Sequence, residues 1–173
     1  MDTFYSVDEK YLQAVDELAY GERPMGLRLL TEIINNDPTY AKAHYQLGKI
    51  YYYEVHDYQT AGYHFKTCID LEPTFPNAYY HYMRLLVFLN MKTQVIKVKE
   101  KALTVPGVSA ASIYKVSGLF QEKNKNWAAA LADYRTAFME VTDKQQKIDI
   151  EEAIERVKSK IQQKQAYTYE VIE

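Results

Sequence analysis

The histidines and the single cysteine are the residues of this sequence that most often bind zinc or form a nucleophilic pair: His44, His56, His64, His81 and Cys68. Zinc sites combine three or four such ligands at short spacings, and no two of these histidines lie three or four residues apart. His64 and Cys68 are one helical turn apart, but a nucleophilic pair also needs an orienting acid. We therefore predict no histidine cluster, no metal site, no cofactor and no catalytic residue, and hence no enzyme activity.

The composition is that of a helical domain able to fold without metal or disulfide. Of the 173 residues, 47% are hydrophobic, and six Gly and five Pro are too few for the tight turns of an all-β protein. The formal net charge of −2 gives no general attraction to nucleic acid or to an anionic membrane. The pattern shows neither a signal peptide nor a membrane-spanning run, so we expect a cytoplasmic protein without a membrane partner.

The chain contains an internal repeat. The segment DPTYAKAHY at residues 37–45 aligns without gaps to EPTFPNAYY at residues 72–80, at an offset of 35. A second match, at twice that offset, relates Gly48 to Gly118. A fixed period of this length is typical of helical repeat proteins, in which each unit packs only against its neighbours.

These anchors resemble the tetratricopeptide repeat, a unit of about 34 residues with a Leu-Gly pair, recurring aromatics and a closing proline. The best unit supplies Leu47, Gly48, Tyr51 and Pro73, with one extra residue in the turn around His56. The resemblance implies an all-α, right-handed α-solenoid of about four helix-turn-helix repeats with a C-terminal capping helix. A single domain over residues 1–165 is then divided into repeats at 7–40, 41–75, 76–110 and 111–142 and a capping helix at 143–165.

Small and aromatic residues explain how the helices of one repeat would pack. Gly48 and Gly118 allow two antiparallel helices to approach closely, and Phe65 and Tyr134 follow at matching positions to fill the space beside them. Replacing either glycine by a large residue would overpack this contact. The resemblance assigns five tyrosines to packing positions: Tyr51, Tyr58, Tyr79, Tyr114 and Tyr134.

A second set of positions points, by the same resemblance, into the concave side of the repeats. The set is aromatic and cationic and contains no acid, so it could bind an extended acidic or aromatic peptide, with Lys49, Arg84 and Lys115 attracting carboxylates. Alternatively, these side chains only solvate a helix face. The predicted groove consists of Tyr11, Lys42, Tyr45, Lys49, Tyr52, Tyr53, Asn77, Tyr80, His81, Arg84, Phe88, Ser112 and Lys115.

The C-terminal part of the chain carries a narrow apolar stripe and then an aromatic, acidic tail. The stripe on residues 143–165 predicts a helix that covers the last hairpin, with a dimerising coiled coil as the alternative. Residues 166–173 favour extended structure, either frayed or docked in a groove or on a sheet edge of the same or another molecule. The docking residues of this tail are Tyr167, Tyr169, Glu170, Val171, Ile172 and Glu173.

Three function classes follow from this reading. The first is a protein-interaction scaffold or adaptor that captures a protein or peptide segment in the groove. The second is a structural subunit, or chaperone-like component, of a larger complex in which the aromatic face is permanently covered. The third, binding of RNA or single-stranded nucleic acid, is disfavoured because the chain is slightly acidic.

Overall fold

The structure, a computed structural model, describes residues 6–170, and for residues 165–170 it describes the backbone alone. Within this range the chain forms helices, connected by turns, and no strand. The helices are α1 (Val7–Tyr20), α2 (Arg23–Asn36), α3 (Ala41–Ile50), continued by a π-helical turn (Tyr51–Val55), α4 (Tyr58–Leu71), α5 (Pro76–Phe88), α6 (Lys92–Ala102), α7 (Ala110–Lys123), α8 (Trp127–Glu140) and α9 (Lys144–Glu170).

The helices form four successive pairs followed by one long helix. The prediction of an all-α chain with about four helix-turn-helix repeats and a further C-terminal helix is confirmed. The chain divides into two compact units, Met1–Tyr82 and Met83–Glu173, which we call unit 1 and unit 2. The single domain expected over residues 1–165 stays a prediction. None of the helices in the described range combines the length and hydropathy that crossing a membrane requires.

Local sequence fixes where the helices begin. Ser6 accepts a hydrogen bond from the backbone N–H of Glu9, whose carboxylate accepts one from Ser6 in return, so α1 starts with a capping box. Asp57 caps α4 and Ser109 caps α7 in the simpler way, through one side-chain oxygen. These caps satisfy backbone donors that have no partner inside a helix.

The turns inside three hairpins share one backbone feature. His56, Asn90 and Lys125 have φ values of 60°, 55° and 61°, in the left-handed region that side chains other than Gly and Asn rarely adopt. The second lies 34 residues after the first, and the third lies 35 after the second. The left-handed turn conformation therefore recurs with the repeat period, although the three residues that adopt it are of different types.

The extra residue of the second repeat lies in a helix and not in the turn around His56, where the sequence placed it. α3 has ten residues and the π-helical turn adds five, so the first helix of this hairpin is one residue longer than the 14-residue α1. A π turn accommodates an insertion inside a helix without changing the connection that follows. Only His56 and Asp57 join the π-helical turn to α4.

Unit 1 is held together where α3 approaches α4. A Cβ atom built on Gly48 would lie 2.7 Å from the ring of Phe65, closer than carbon atoms pack. Phe65 itself is fully buried. A second group of buried residues joins α1, α2 and α3 through Ala14, Leu30 and Leu47. The close approach that the sequence predicted at Gly48 is confirmed.

Unit 2 repeats this contact and adds α9. A Cβ atom on Gly118 would lie 2.7 Å from the ring of Tyr134. The stripe of α9 then packs against α8, with Ile150 and Val157 fully buried in one cluster with Tyr134. Because these stripe residues are buried within the chain, α9 covers the last hairpin, and they offer no seam for a dimerising coiled coil.

The period of the repeats reappears in side-chain contacts that link one helix pair to the next element of unit 2. Lys99 forms an ion pair with Asp133, and Glu122 forms one with Arg156; the residues of each pair are 34 apart. Since Arg156 lies on α9, this helix stands one period after α7. It therefore takes the place of the first helix of a further repeat.

The prediction of extended backbone from residue 166 onward is wrong for residues 166–170, which continue α9. Lengthening an existing helix requires no new nucleus, and the lower helix propensities of Tyr and Thr cost only a few tenths of a kcal/mol each, on the order of 0.5. Val171, Ile172 and Glu173, the rest of the predicted docking tail, lie outside the described residues.

Candidate partner-binding site

The residues of the predicted groove are divided between the two units. Unit 1 contains nine of them, which come from α1, from α3 with its π-helical turn, and from the beginning of α5: Tyr11, Lys42, Tyr45, Lys49, Tyr52, Tyr53, Asn77, Tyr80 and His81. Unit 2 contains four, which come from the end of α5 and from α7: Arg84, Phe88, Ser112 and Lys115.

His81 is the centre of an aromatic cluster in unit 1. Its Nδ1 lies 2.8 Å from the Tyr53 hydroxyl, and the two rings meet edge to face. The ring of Tyr45 lies 5.7 Å from it, and the ring of Phe65 is stacked at 6.2 Å. Tyr80 completes the cluster at 5.3 Å. The groove residues are thus tied to the packing residue Phe65, which holds them in fixed positions.

Not every predicted groove residue offers surface to a partner. Tyr45 is only 8% exposed, because its ring packs against Phe75 and His81, so it offers little surface to a partner. Tyr53 is 39% exposed. Tyr11 is half-buried; its hydroxyl accepts a hydrogen bond from Gln46, and its ring lies 5.5 Å from Tyr40.

Lys49 is the most distinctive cation of unit 1. Its Nζ lies 5.0 Å from the centre of the Tyr45 ring, and within residues 6–170 it forms no ion pair. Burial lowers the pKa of its ammonium group, an effect that the nearby Glu54 carboxylate opposes. The side chain lines a cleft of about 250 Å³ together with Val15, Gln46, Tyr53 and several neighbours. Glu54 lines the same cleft but is already paired with Arg23 at 3.0 Å, so the partly desolvated charge of Lys49 is incompletely balanced and favours binding of an anion.

The four residues of unit 2 have a different character. Lys115 forms an ion pair of 2.9 Å with Asp149 of α9, so its charge is balanced within the chain. Phe88 is 52% exposed, and Arg84 lies one helical turn before it. Leu119, which is not among the predicted groove residues, is 44% exposed and lies one turn after Lys115. Its position four residues beyond a predicted groove residue was the available signal.

A buried carboxylate in unit 2 was also missed. Glu122 is 7% exposed and accepts hydrogen bonds from Arg156 (2.8 Å), from Lys160 (2.7 Å) and from the Tyr134 hydroxyl (2.9 Å). The Arg156 guanidinium in particular holds the pKa of Glu122 at about 2, against the opposing effect of burial. This network fastens α9 to α7 and α8. A lone Glu near the end of a helix gives no sequence signal of such a role.

The expectation that the histidines form no cluster is wrong for one pair. His44 and His64 are buried, and their Nδ1 atoms lie 2.9 Å apart. Nε2 of His44 lies 3.0 Å from the Pro38 carbonyl oxygen, to which it must donate, so Nδ1 of His44 accepts a hydrogen bond from Nδ1–H of His64. Desolvation, with the neighbouring His44, lowers the pKa of His64 to about 4. The pair is 20 residues apart in the chain, beyond any spacing rule for one helix.

The cysteine and the tyrosines assigned to packing positions are buried or half-buried in the protein. Cys68 is fully buried, and desolvation raises the pKa of its thiol to about 12, so it stays protonated at neutral pH. In the described part of the chain, no three His, Cys, Asp or Glu side chains are grouped as metal ligands. Tyr79 and Tyr134 are buried as packing residues. Tyr51, Tyr58 and Tyr114 are half-buried.

No family model matches the sequence, and the search of curated proteins found no match. Solved structures do match. MamA from Desulfovibrio magneticus RS-1 is 17% identical with a TM-score of 0.65 over 88% of this chain and 93% of that chain. A MamA RS-1 double mutant reaches 0.67 at 15% identity, over 89% and 95%. PilW, a widely conserved type IV pilus biogenesis factor, is 14% identical with a TM-score of 0.65 over 93% and 94%.

At these identities the likeness concerns the fold, and MamA and PilW are both built from tetratricopeptide-like repeats. The helix pairs, the left-handed turn residues and the contacts at a spacing of 34 residues agree with it. The chain therefore has the helical-repeat fold of tetratricopeptide-repeat proteins.

Proposed function

We propose that this chain is a protein-interaction scaffold or adaptor that binds a segment of a partner protein along the predicted groove, with no covalent step. The observation that carries the proposal is Lys49, a half-buried ammonium that stands over the Tyr45 ring without a carboxylate partner in the described range. Retaining such a group costs stability unless a ligand compensates it. An acidic side chain or a C-terminal carboxylate of the partner would do so.

The residues near Lys49 indicate which groups the ligand should carry besides a carboxylate. Tyr53 is exposed beside the cleft and is fixed by its hydrogen bond to His81. A rigid Tyr ring provides a large contact area at a small entropic cost. Gln46 lines the same cleft and can add a hydrogen bond to an extended backbone. We therefore propose an acidic segment with at least one aromatic or aliphatic residue as the ligand.

Unit 2 is proposed to contribute a second, more apolar contact region. Arg84 and Phe88 lie on one face of α5, and Leu119 adds an exposed side chain from α7. Lys115 contributes less than the sequence suggested, because Asp149 already balances its charge. A cytoplasmic location is proposed as well, which the lone reduced cysteine supports.

The proposal is tested by the binding of fluorescent acidic-aromatic peptides, measured as anisotropy. Lys49→Glu should weaken binding by at least tenfold, since a charge-assisted hydrogen bond contributes about 1.5–3 kcal/mol and the variant adds repulsion. Lys97→Glu is the matched control, because Lys97 is an exposed lysine of α6 outside the predicted groove. Equal weakening by both variants would indicate non-specific attraction and contradict the groove. Unchanged binding in Lys49→Glu would contradict it equally.

A further inference from the structure

The outer face of α1 combines exposed apolar side chains with carboxylates. Leu12 is 61% exposed and Tyr20 is 93% exposed, and the two lie two helical turns apart on one face. They border a shallow depression of about 550 Å³ whose charged residues are all acidic: Glu9, Asp16 and Glu17. Asp16 has neither a hydrogen bond nor an ion pair within the described residues. An exposed Tyr of this kind is a common anchor at protein interfaces.

A cleft with the opposite charge lies in unit 2, between the beginning of α8 and the second half of α9. Its volume is about 610 Å³, its apolar wall is formed by Trp127 and Ile161, and its charged residues are Lys125 and Lys164. The ammonium of Lys125 meets no carboxylate in the part of the chain that the structure describes. The Trp127 ring is held in place by Lys160, whose Nζ lies 5.2 Å from the ring centre.

We propose that these two surfaces bind each other between two copies of this chain. The α1 face of one copy places Tyr20 and Leu12 against Trp127 and Ile161 of a second copy, and Asp16 approaches Lys125. The charges are complementary, with three acids on one surface and two lysines on the other. Aromatic and aliphatic side chains at the centre, with charges at the rim, are the arrangement found in specific interfaces.

This contact has a direction, because the two surfaces differ. A pair joined by one contact still presents one α1 face and one α8–α9 cleft, and these surfaces either bind each other in a closed two-fold dimer or bind further copies in a ring or an open chain. None of the residues involved belongs to the predicted groove. The proposal therefore goes beyond the groove and does not depend on its ligand.

Sedimentation velocity over a concentration series tests the association. The wild-type chain should form dimers or larger species as its concentration rises to about 100 μM, the weak range of small interfaces. Raising the salt concentration should shift the series back toward monomer, because exposed charges are screened. A monomer at every concentration would overturn the proposal.

Two blocked variants test the surfaces. Leu12→Ser/Asp16→Lys/Tyr20→Ser removes the α1 face. Lys125→Glu/Ala128→Glu blocks the cleft, which Ala128 also lines. All five residues are exposed, so both variants should keep the wild-type melting temperature. Each variant alone should stay monomeric. Tyr63→Ser and Met139→Ser, which change residues that are 61% and 81% exposed elsewhere, serve as controls and should associate like the wild type.

Mixing the two blocked variants gives the decisive result. Each retains the surface that the other lacks, so the mixture should form 1:1 dimers and nothing larger. If one variant fails to fold, the single changes Asp16→Lys and Lys125→Asp replace the pair, and their mixture should associate at least tenfold more tightly than either alone. A monomeric mixture, or variants that assemble like the wild type, would show that these surfaces do not bind each other.

Discussion

Gly48 in unit 1 and Gly118 in unit 2 each face a ring at the same distance, but the two rings end differently. Phe65 is surrounded by further rings, with His81 stacked at 6.2 Å and Tyr52 edge to face at 6.5 Å. Tyr134 ends in a hydroxyl, which donates to the buried carboxylate of Glu122. The Tyr134 hydroxyl, which Phe65 lacks, therefore contacts a charged network, whereas the Phe65 ring contacts other rings.

The two units differ in whether the charged groups near these rings are paired within the chain. In unit 2 the Tyr134 hydroxyl donates to the Glu122 carboxylate. The buried charge of this carboxylate is balanced by Arg156 and Lys160 of α9. The charges at this position hold the chain together. In unit 1 the Phe65 ring adds no such requirement, and Lys49 keeps its charge without a partner in the described range. We therefore expect partner capture to depend on unit 1 and the docking of α9 to depend on unit 2.

The largest loss of stability should come from disrupting the close contact that each unit makes between a glycine and a ring. Gly48→Val and Gly118→Val each place carbon atoms within the volume of a ring, so each should lower the free energy of unfolding by about 3 kcal/mol. Urea unfolding followed by circular dichroism measures this. Gly21→Ala is the control, because the added carbon would meet the end of the flexible Glu17 side chain and not a buried ring, so it should change stability far less. Equal effects at all three glycines would show that close helix contact is not the cause.

Exchanging the two rings should separate the units. Phe65→Tyr places a hydroxyl among buried rings and should destabilise the chain by about 2 kcal/mol. Tyr134→Phe only removes one hydrogen bond to Glu122 and should cost about 1 kcal/mol. The same unfolding measurement compares them. If Phe65→Tyr proved as mild as Tyr134→Phe, the contrast between the two environments would be wrong.

Acid should weaken the units over different pH ranges. The folded chain holds the pKa of His64 at about 4, below about 6.5 in an unfolded chain, so the unfolded state binds protons first and stability falls between these values. Glu122, with a pKa of about 2 against 4.5, adds stability that is complete above pH 4.5 and is lost toward pH 2. The slope for one group is at most about 1.4 kcal/mol per pH unit.

Urea unfolding at pH 7, 5.5, 4.5 and 3 resolves the two ranges. Trp127, the single tryptophan, reports on unit 2 by fluorescence. The variant His44→Leu/His64→Phe should flatten the decline above pH 4.5 and leave the lower range unchanged. A decline of unaltered steepness in this variant would show that the histidine pair is not its origin.

The smallest effect concerns the turns. His56 and Lys125 adopt positive φ, which is strained for side chains with a Cβ atom. His56→Gly and Lys125→Gly should each stabilise the chain by up to about 1 kcal/mol, one in each unit. Thermal unfolding measures the gain, and Lys97→Gly, in the interior of α6, should instead destabilise by about 1 kcal/mol. A loss of stability in both turn variants would contradict the strain.

The sequence predicted the repeating elements because their causes are local. Gly48, Gly118 and the aromatics that face them recur at a fixed spacing, and this spacing is visible without coordinates. The position of the extra residue in the second repeat could not be predicted from the sequence, since both a turn and a π-helical turn can accommodate an insertion. For the tail the preference of its residues for strands was outweighed by the existing helix α9.

The candidate site was harder to predict, because its decisive facts are pairings between distant residues. His44 meets His64 across 20 residues, and Glu122 meets Arg156 across 34. The same limit applies to cations: the sequence treated Lys49 and Lys115 alike, and only the fold shows that Asp149 pairs with the second. Whether a charge is available to a partner depends on neighbours that a single sequence does not reveal.

The most direct test of the account is a cycle that combines Lys49 with the carboxylates of a bound peptide. The affinities of an acidic peptide and of its Glu→Gln counterpart are measured with the wild type, with Lys49→Met and with Lys97→Met. The account predicts that the wild type and Lys97→Met prefer the acidic peptide by at least tenfold, and that Lys49→Met loses this preference. An undiminished preference in Lys49→Met would contradict the claim that unit 1 captures its partner through this lysine.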